Sequence, residues 1–356
     1  MNRVDWYKNR TLWYSLGAGL VVVVMAIVVL ANRKNIPAPG QASVPFQVVG
    51  FYENASPGGS SPTSMTSFSA HWSQVSTVSP LWFSVTPTGT VVNTGFAPAL
   101  VTLAHAHHRL VVPLFINAGG STSVLWQAST RQAAARNIKA AVEKYHLDGI
   151  NLDFELLNPS SRADLTKFVA DLKTQLQPLK KVLAVSVFPL VGLPASVNGA
   201  DDYPQLAGNA NYLVIMAYDH HYSGGPSGPV APYSWVKSNV VAALKQIPAH
   251  KVVLAVGMYG YDWMNNGKPG PAATVTDIAA EALAKAHGVQ PRYDRGNSQN
   301  TFTYTTGGVS HVVWYMGDRS AKARVDLAES YHLAGVALWQ LGDEDPRFWE
   351  TMPKNG

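Results

Sequence analysis

Eight short runs rich in Val, Ile and Phe recur along the chain, and most are separated from the next by an Ala-rich amphipathic stretch. They are Phe46 to Asn54, Val78 to Thr86, Leu110 to Asn117, Gly149 to Glu155, Val182 to Pro189, Tyr212 to Asp219, Val252 to Tyr259 and Gly335 to Leu341. Strands joined by helical crossovers lie parallel, because the crossover returns the chain to the end where the previous strand began. Thr130 to Tyr145 and Ser161 to Gln177 read as such helices, the second opened by Pro159-Ser160 and closed by Pro178. Eight strand–helix units over about 300 residues predict a closed α/β barrel, the (β/α)8 or TIM barrel, spanning 46–352. One interval breaks the rhythm. Between the seventh and eighth runs, Arg292 to Asp294, Thr301 to Thr305 and Val309 to Tyr315 read as strands around a Gly307-Gly308 turn, which predicts an inserted α+β lobe at about 262–319.

Ahead of the barrel, Leu12 to Ala31 runs 20 residues without a charge. At 1.5 Å per residue a helix of that length crosses about 30 Å of hydrocarbon, and the run exceeds the 7 to 15 residues of an ordinary secretory signal. The expectation is a transmembrane anchor at 12–31, a basic leader at 1–11 on the cytoplasmic side and a Pro/Gly/Ser linker at 32–45, with the barrel outside the cell membrane; the alternative is a signal peptide cleaved after the small-residue site Val29-Leu30-Ala31, which would release the barrel. The charge bias supporting that orientation is small, Arg3, Lys8 and Arg10 before the run against Arg33 and Lys34 after it. These five account for most of the excess in a chain with 27 basic and 22 acidic residues. The rest is nearly neutral, which argues against nucleic acid as a partner. Cysteine is absent, excluding disulfides, thiol nucleophiles and Cys-ligated metals. No metal or other cofactor is expected, since His105, His107 and His108 lack the spacing that converges ligands on one ion. A monomer is expected.

In a barrel of this kind the working groups stand at the carboxyl ends of the strands. The fourth run ends Asp148-Gly149-Ile150-Asn151-Leu152-Asp153-Phe154-Glu155. Alternation puts Asn151, Asp153 and Glu155 on one face and Ile150, Leu152 and Phe154 on the other. Three polar groups then point into the barrel, where burying them is costly unless something requires them.

This segment resembles the D-G-x-[D/N]-x-D-x-E signature of glycoside hydrolase family 18, the chitinase-like barrels. Met216-Ala217-Tyr218-Asp219 is similar to the family's M-x-Y-D at the sixth strand, and Trp339 stands where the family has its eighth-strand tryptophan. Asn151 and Val312-Val313-Trp314-Tyr315, with Ser320 and Lys322, resemble the bacterial branch of spore-cortex lytic enzymes and peptidoglycan N-acetylglucosaminidases. At the third strand Asn117-Ala118-Gly119-Gly120 replaces the S-x-G-G of ordinary chitinases. The resemblance implies a hydrolase of β-linked N-acetylglucosamine in peptidoglycan or a chitin-like glycan. It makes Glu155 the general acid, Asp153 the group that orients the substrate's 2-acetamido arm, and Tyr218 the residue that steadies that arm. The acetamido carbonyl, rather than a second enzyme carboxylate, would attack the anomeric carbon, an exception to the two-carboxylate scheme. Asn151 cannot titrate as the Asp of many chitinases does, and is expected to hold Asp153 ionised.

Tyr52, Tyr259 and Trp339 are expected to meet sugar faces and Asp219 a sugar hydroxyl, while Trp82, Tyr261 and Trp263 fit core packing equally well. Asp148 reads as structural, and Asp343, Glu344 and Asp345 as a helix cap or solvated surface run. The competing expectation is a chitinase-like protein that binds carbohydrate without cleaving it. The glutamate at 155 favours hydrolysis.

Overall fold

The computed structural model describes residues 46–54, 63–264 and 270–352. The expected anchor, leader and linker lie outside these. Among the described residues no helix is long and apolar enough to cross a membrane.

Eight parallel strands form the barrel: β1 (Gln47–Tyr52), β2 (Thr77–Val85), β3 (Leu114–Asn117), β4 (Gly149–Asp153), β5 (Val182–Val187), β6 (Tyr212–Ile215), β7 (Val252–Gly257) and β8 (Gly335–Trp339). Each pairs with its successor, and β1 pairs with both β8 and β2, so the sheet closes. Closure leaves no edge among the eight strands and brings all eight carboxyl ends to one rim.

The third expected strand is divided. Leu110–Val111 and Leu114–Asn117 pair separately with β2, because Pro113 between them has no N–H to give to the ladder. Its carbonyl still accepts from the Asn151 amide at 2.8 Å. The fourth and sixth strands stop at Asp153 and Ile215, earlier than the apolar runs suggest, so Glu155 and Asp219 stand beyond the ladder.

Helices α1 (Ala128–Lys144) and α2 (Arg162–Leu176) match the expected segments to within two residues at each end. In α2 the buried side chains are Leu165, Phe168, Val169, Leu172 and Leu176, a stripe at helical spacing. Phe168 meets Phe154 at 5.5 Å between ring centroids. The Ile150, Leu152, Phe154 face of the fourth run therefore looks outward to the helices, and Asn151 and Asp153 look inward.

Between β7 and β8 lies a five-stranded antiparallel sheet, in the order Ala273–Thr276, Tyr259–Met264, Val309–Tyr315, Gln299–Thr306, Arg292–Asp294. Helix α3 (Asp277–Ala286) covers it over a small core of its own around Phe302, Tyr304 and Tyr315. The lobe thus starts at Tyr259, three residues before the expected boundary at 262, and Tyr259 belongs to the inserted sheet rather than to the seventh barrel strand. One residue separates the two: β7 ends at Gly257, and Met258 donates to the Trp339 carbonyl at 2.6 Å. Gly260 lets the inserted strands approach, since a Cβ there would stand 2.1 Å from the Trp314 carbonyl oxygen.

Arg324, on helix α4 (Asp318–Ser330), fastens the lobe to the barrel. Its side chain is 1% exposed and donates to the carbonyls of Ala231, Ser298, Ser320 and Asn297. Burial lowers its pKa to about 10, still charged at neutral pH. Arg324→Met should leave four carbonyls short of a donor, those of Ser320 and Ala231 in buried bonds, at about 1–3 kcal/mol for each left dry. The expected outcome is a loss of about 3 kcal/mol or more, read as a lower urea midpoint with the slope unchanged.

Candidate functional site

The site is assembled from the rim outward from β4. Asn151 and Asp153 are each 2% exposed, and Glu155 is half-buried just past the strand end. The Asn151 side-chain oxygen accepts from the Ser186 hydroxyl of β5 at 3.2 Å, so its NH2 is the group left to donate to a neighbour. Asp148, at the other end of β4, accepts from the Val111 amide at 2.8 Å and pairs with His105 at 2.8 Å. It ties the strand into the sheet at the end away from the rim.

Glu155 is held by its backbone. The Asn117 side chain, at the carboxyl end of β3, accepts from the Glu155 N–H at 3.1 Å and donates to the Glu155 carbonyl at 3.0 Å. One amide thus replaces two ladder bonds where the β3–β4 pairing has ended, and fixes the backbone from which the glutamate side chain projects. Asn117 carries no catalytic signal in the sequence. Its one mark is a polar residue closing the apolar run Leu114-Phe115-Ile116 at the place where ordinary chitinases have Ser. Ser186 leaves no mark at all.

Tyr218 and Asp219 follow β6. Asp219 has a left-handed backbone, φ 58°. Its Oδ1 accepts from the Tyr259 hydroxyl and from the Tyr261 hydroxyl, the latter at 3.0 Å. The rings of Tyr218, Tyr259, Tyr261 and Trp263 follow in edge contacts at 6.2, 5.5 and 5.3 Å, leading from the barrel rim into the lobe. Burial, then the Asp219 charge and the neighbouring phenols, push the Tyr259 hydroxyl well above its ordinary pKa. It is a fixed donor at any physiological pH.

Trp339, at the end of β8, is half-buried against Phe51 at 5.1 Å, and its peptide bond to Gln340 is cis. Tyr52 is 5% exposed and packs edge-on to Trp82 at 6.4 Å. Trp82 is wholly buried core. Trp126 is the reverse case, 66% exposed beyond β3 at the start of α1. His220 is half-buried against Trp235, and burial followed by His221 lowers its pKa.

The acids after β8 are not a solvated run. Asp343, Glu344 and Asp345 are 7%, 5% and 5% exposed. The loop turns inward because Glu344 is fully engaged: it accepts from the Ser67 hydroxyl, from the Trp349 indole at 2.8 Å and from the Gly342 amide at 2.5 Å. Asp345 pairs with Arg347 and accepts from its amide at 3.0 Å, ahead of the short helix Phe348–Thr351. The Asp343 carbonyl accepts from the amide of Asp277, the first residue of α3. Burial, then Glu344 and Glu53, raise Asp343 to about 7, against a bond from Gln340. Burial raises Asp277 well above the carboxylate range, the Gly317 and Asp345 amides opposing it and the Asp345 and Asp343 charges adding to it. No group of side chains among the described residues is placed to hold a metal ion.

A closed parallel barrel with a polar, partly buried strand end at its carboxyl rim, flanked by aromatic rings and an inserted α+β lobe, defines the class as a TIM-barrel protein. The particular family follows from comparison: residues 47–345 match Glycosyl hydrolases family 18, and the chain belongs to it. An uncharacterized glycosylase, YvbX, from Bacillus subtilis is 31% identical over 219 residues, 60% of this chain and 62% of its own. The cortical fragment-lytic enzyme of Bacillus anthracis is 30% identical over 240 residues, 65% of this chain and 55% of its own. The chain thus spans between 55% and 62% of these two relatives. Among solved structures, the spore cortex-lytic enzyme SleL of Bacillus megaterium superposes with a TM-score of 0.79 at 24% identity, covering 90% of this chain and 75% of that one. A chitinase from Chromobacterium violaceum does so with 0.78 at 26% identity, covering 86% and 97%.

An acid whose folded-state pKa is raised binds its proton more tightly folded than unfolded. The Asp343 contribution to stability is therefore whole below about pH 4 and is lost as the pH rises toward 7. Asp343→Asn should melt with the parent protein at pH 4 and above it at pH 7.5, as scanning calorimetry at the two pH values would reveal. Equal melting at both would remove Asp343 from the pH dependence.

Proposed function

We propose that the chain is a glycosidase that hydrolyses β-linked N-acetylglucosamine, tethered to the cell membrane by residues 12–31 with the barrel outside. The observation that carries the activity is the rim of β4: Asn151 and Asp153 buried and facing inward, and Glu155 beyond them with its backbone clamped by Asn117. The relatives named for lysis of the spore cortex favour a peptidoglycan substrate over chitin.

Glu155 protonates the glycosidic oxygen as the bond to the anomeric carbon breaks. The carbonyl oxygen of the substrate's own acetamido group closes on that carbon from the opposite face, giving an oxazolinium ion. Asp153, two residues back and about 6.6 Å along the chain, orients the acetamido N–H and stabilises the positive charge, and Tyr218 steadies the arm. Water then opens the ion while Glu155 takes its proton, so configuration is retained. Asn151 offers its NH2 to Asp153. Trp339 forms the floor of the cleavage subsite, and Tyr52, Tyr259 and Asp219 shape its walls, Asp219 chiefly by holding Tyr259 and Tyr261. The substrate is a glycan, no cofactor takes part, and the protein acts as a monomer.

The test is mass spectrometry of products from purified peptidoglycan and from chitin oligomers. Glu155→Gln should lose roughly a hundredfold or more in rate while still binding the glycan, since the amide keeps the shape but delivers no proton. Binding without cleavage by the parent protein would make it a carbohydrate-binding barrel instead. Efficient cleavage of a fully deacetylated substrate, or inversion of configuration, would refute the substrate-assisted route.

Asn117 acts through Glu155 as a positioning residue. Asn117→Ala should lower kcat by about tenfold to a hundredfold, the scale of a misplacement of about 1 Å, with KM little changed. A rise in KM at constant kcat would place its role in binding.

A further inference from the structure

We infer that the end of the barrel opposite the active site carries a binding site for a phosphate-bearing anion, taken from the headgroups of an anionic lipid surface. A concavity of about 310 Å³ opens there beneath β5, β6 and β7, and its lining includes Lys173, Lys180, Lys181, Lys251, Asn209 and Asn211. No Asp or Glu among the described residues lines it. Four ammonium groups around one hollow are conspicuous in a chain that is close to neutral beyond its first 40 residues.

The geometry holds these charges together against their repulsion. Lys173 on α2 donates to the Gly208 carbonyl at 3.0 Å, and Lys251, immediately before β7, donates to the Ala210 carbonyl at 2.7 Å. Each ammonium keeps two further protons to give. Burial, then the charge of Lys173, lower the pKa of Lys251, the signature of cations crowded and partly stripped of water. The nearest ion pair is weak compensation: Lys181 reaches Asp148 only at 3.9 Å, and that carboxylate already takes His105 and the Val111 amide. An anion with several acceptor oxygens, such as a phosphate, answers both the charge and the spare donors.

The source follows from topology. Lys181 and Lys251 directly precede β5 and β7, and Gln47 opens β1, so in a parallel barrel the hollow lies at the same end as the point where the chain enters from its apolar segment. Fourteen residues, 32–45, can span at most roughly 50 Å, which bounds how far this end stands from the membrane. This lipid source rests on the membrane tether proposed above, whereas the anion site itself does not.

The experiment uses the full chain and amine-reactive labelling read by mass spectrometry. In neutral detergent micelles, inorganic phosphate and glycerol 1-phosphate should protect Lys173, Lys180, Lys181 and Lys251, and leave Lys285 of the inserted lobe unprotected. In vesicles, adding phosphatidylglycerol to phosphatidylcholine should protect the same four by about fivefold each, the equivalent of ~1 kcal/mol per lysine near an anionic surface. Lys180→Glu, at an exposed position, and Lys251→Gln should each reduce both effects with glycan cleavage unchanged. Absence of protection in micelles and vesicles alike overturns the site. Protection by free phosphate without protection on carbonate-resistant, phosphatidylglycerol-containing vesicles overturns the lipid source. If alkaline carbonate strips the chain from vesicles, the tether fails and the micelle titration alone decides the anion site.

Discussion

Closure of the parallel sheet is the constraint on which the rest of the molecule depends. Because β1 pairs on one side with β8 and on the other with β2, no barrel strand is left with an open edge, and the ends of all eight are sorted by direction. That sorting gathers Asn117, Glu155, Tyr218 and Trp339, spread over more than 200 positions in the chain, onto one rim. It also sends the entering chain and the lysine-lined hollow to the other end. The outward apolar face of β4, packed on α2 through Phe154 and Phe168, obliges the alternate side chains Asn151 and Asp153 to lie inside. Their burial is a consequence of strand geometry, and its cost is met by partners on neighbouring strands, as Ser186 is for Asn151.

The inserted lobe is joined to this frame by polar contacts in buried places. Asp219 gathers the hydroxyls of Tyr259 and Tyr261 from the first inserted strand, Arg324 collects carbonyls from the lobe and from the loop after β6, and the Asp343 carbonyl receives the first amide of α3. These fastenings surround the rim. Asp343, after β8, belongs to the same seam, and burial raises its proton affinity as it does that of Asp277 at the start of α3.

Most of the fold was legible because its signals are local. Runs of Val and Ile alternating with amphipathic segments require parallel strands and crossovers whatever lies around them, and a period of two places Asn151 and Asp153 on one face. The errors fall where a distant partner decides. Pro113 interrupts the third strand only because its neighbour demands an N–H there, and Tyr259 leaves the barrel for the inserted sheet because Thr276 and its neighbours pair with that strand. The run Asp343-Glu344-Asp345 looks like surface in one dimension, and becomes interior because Ser67, Trp349 and Arg347 meet it.

By itself the sequence determined the architecture and the family motif on the fourth strand, since residue type and spacing carry both. Only the tertiary structure decided that Asn117 clamps Glu155, that Asp219 spends an oxygen on two phenols of the inserted lobe, and that Lys173 and Lys251 face one hollow. Each of these joins residues at least 38 positions apart. Such pairings depend on which strand ends closure brings side by side, and no local pattern of side chains encodes that.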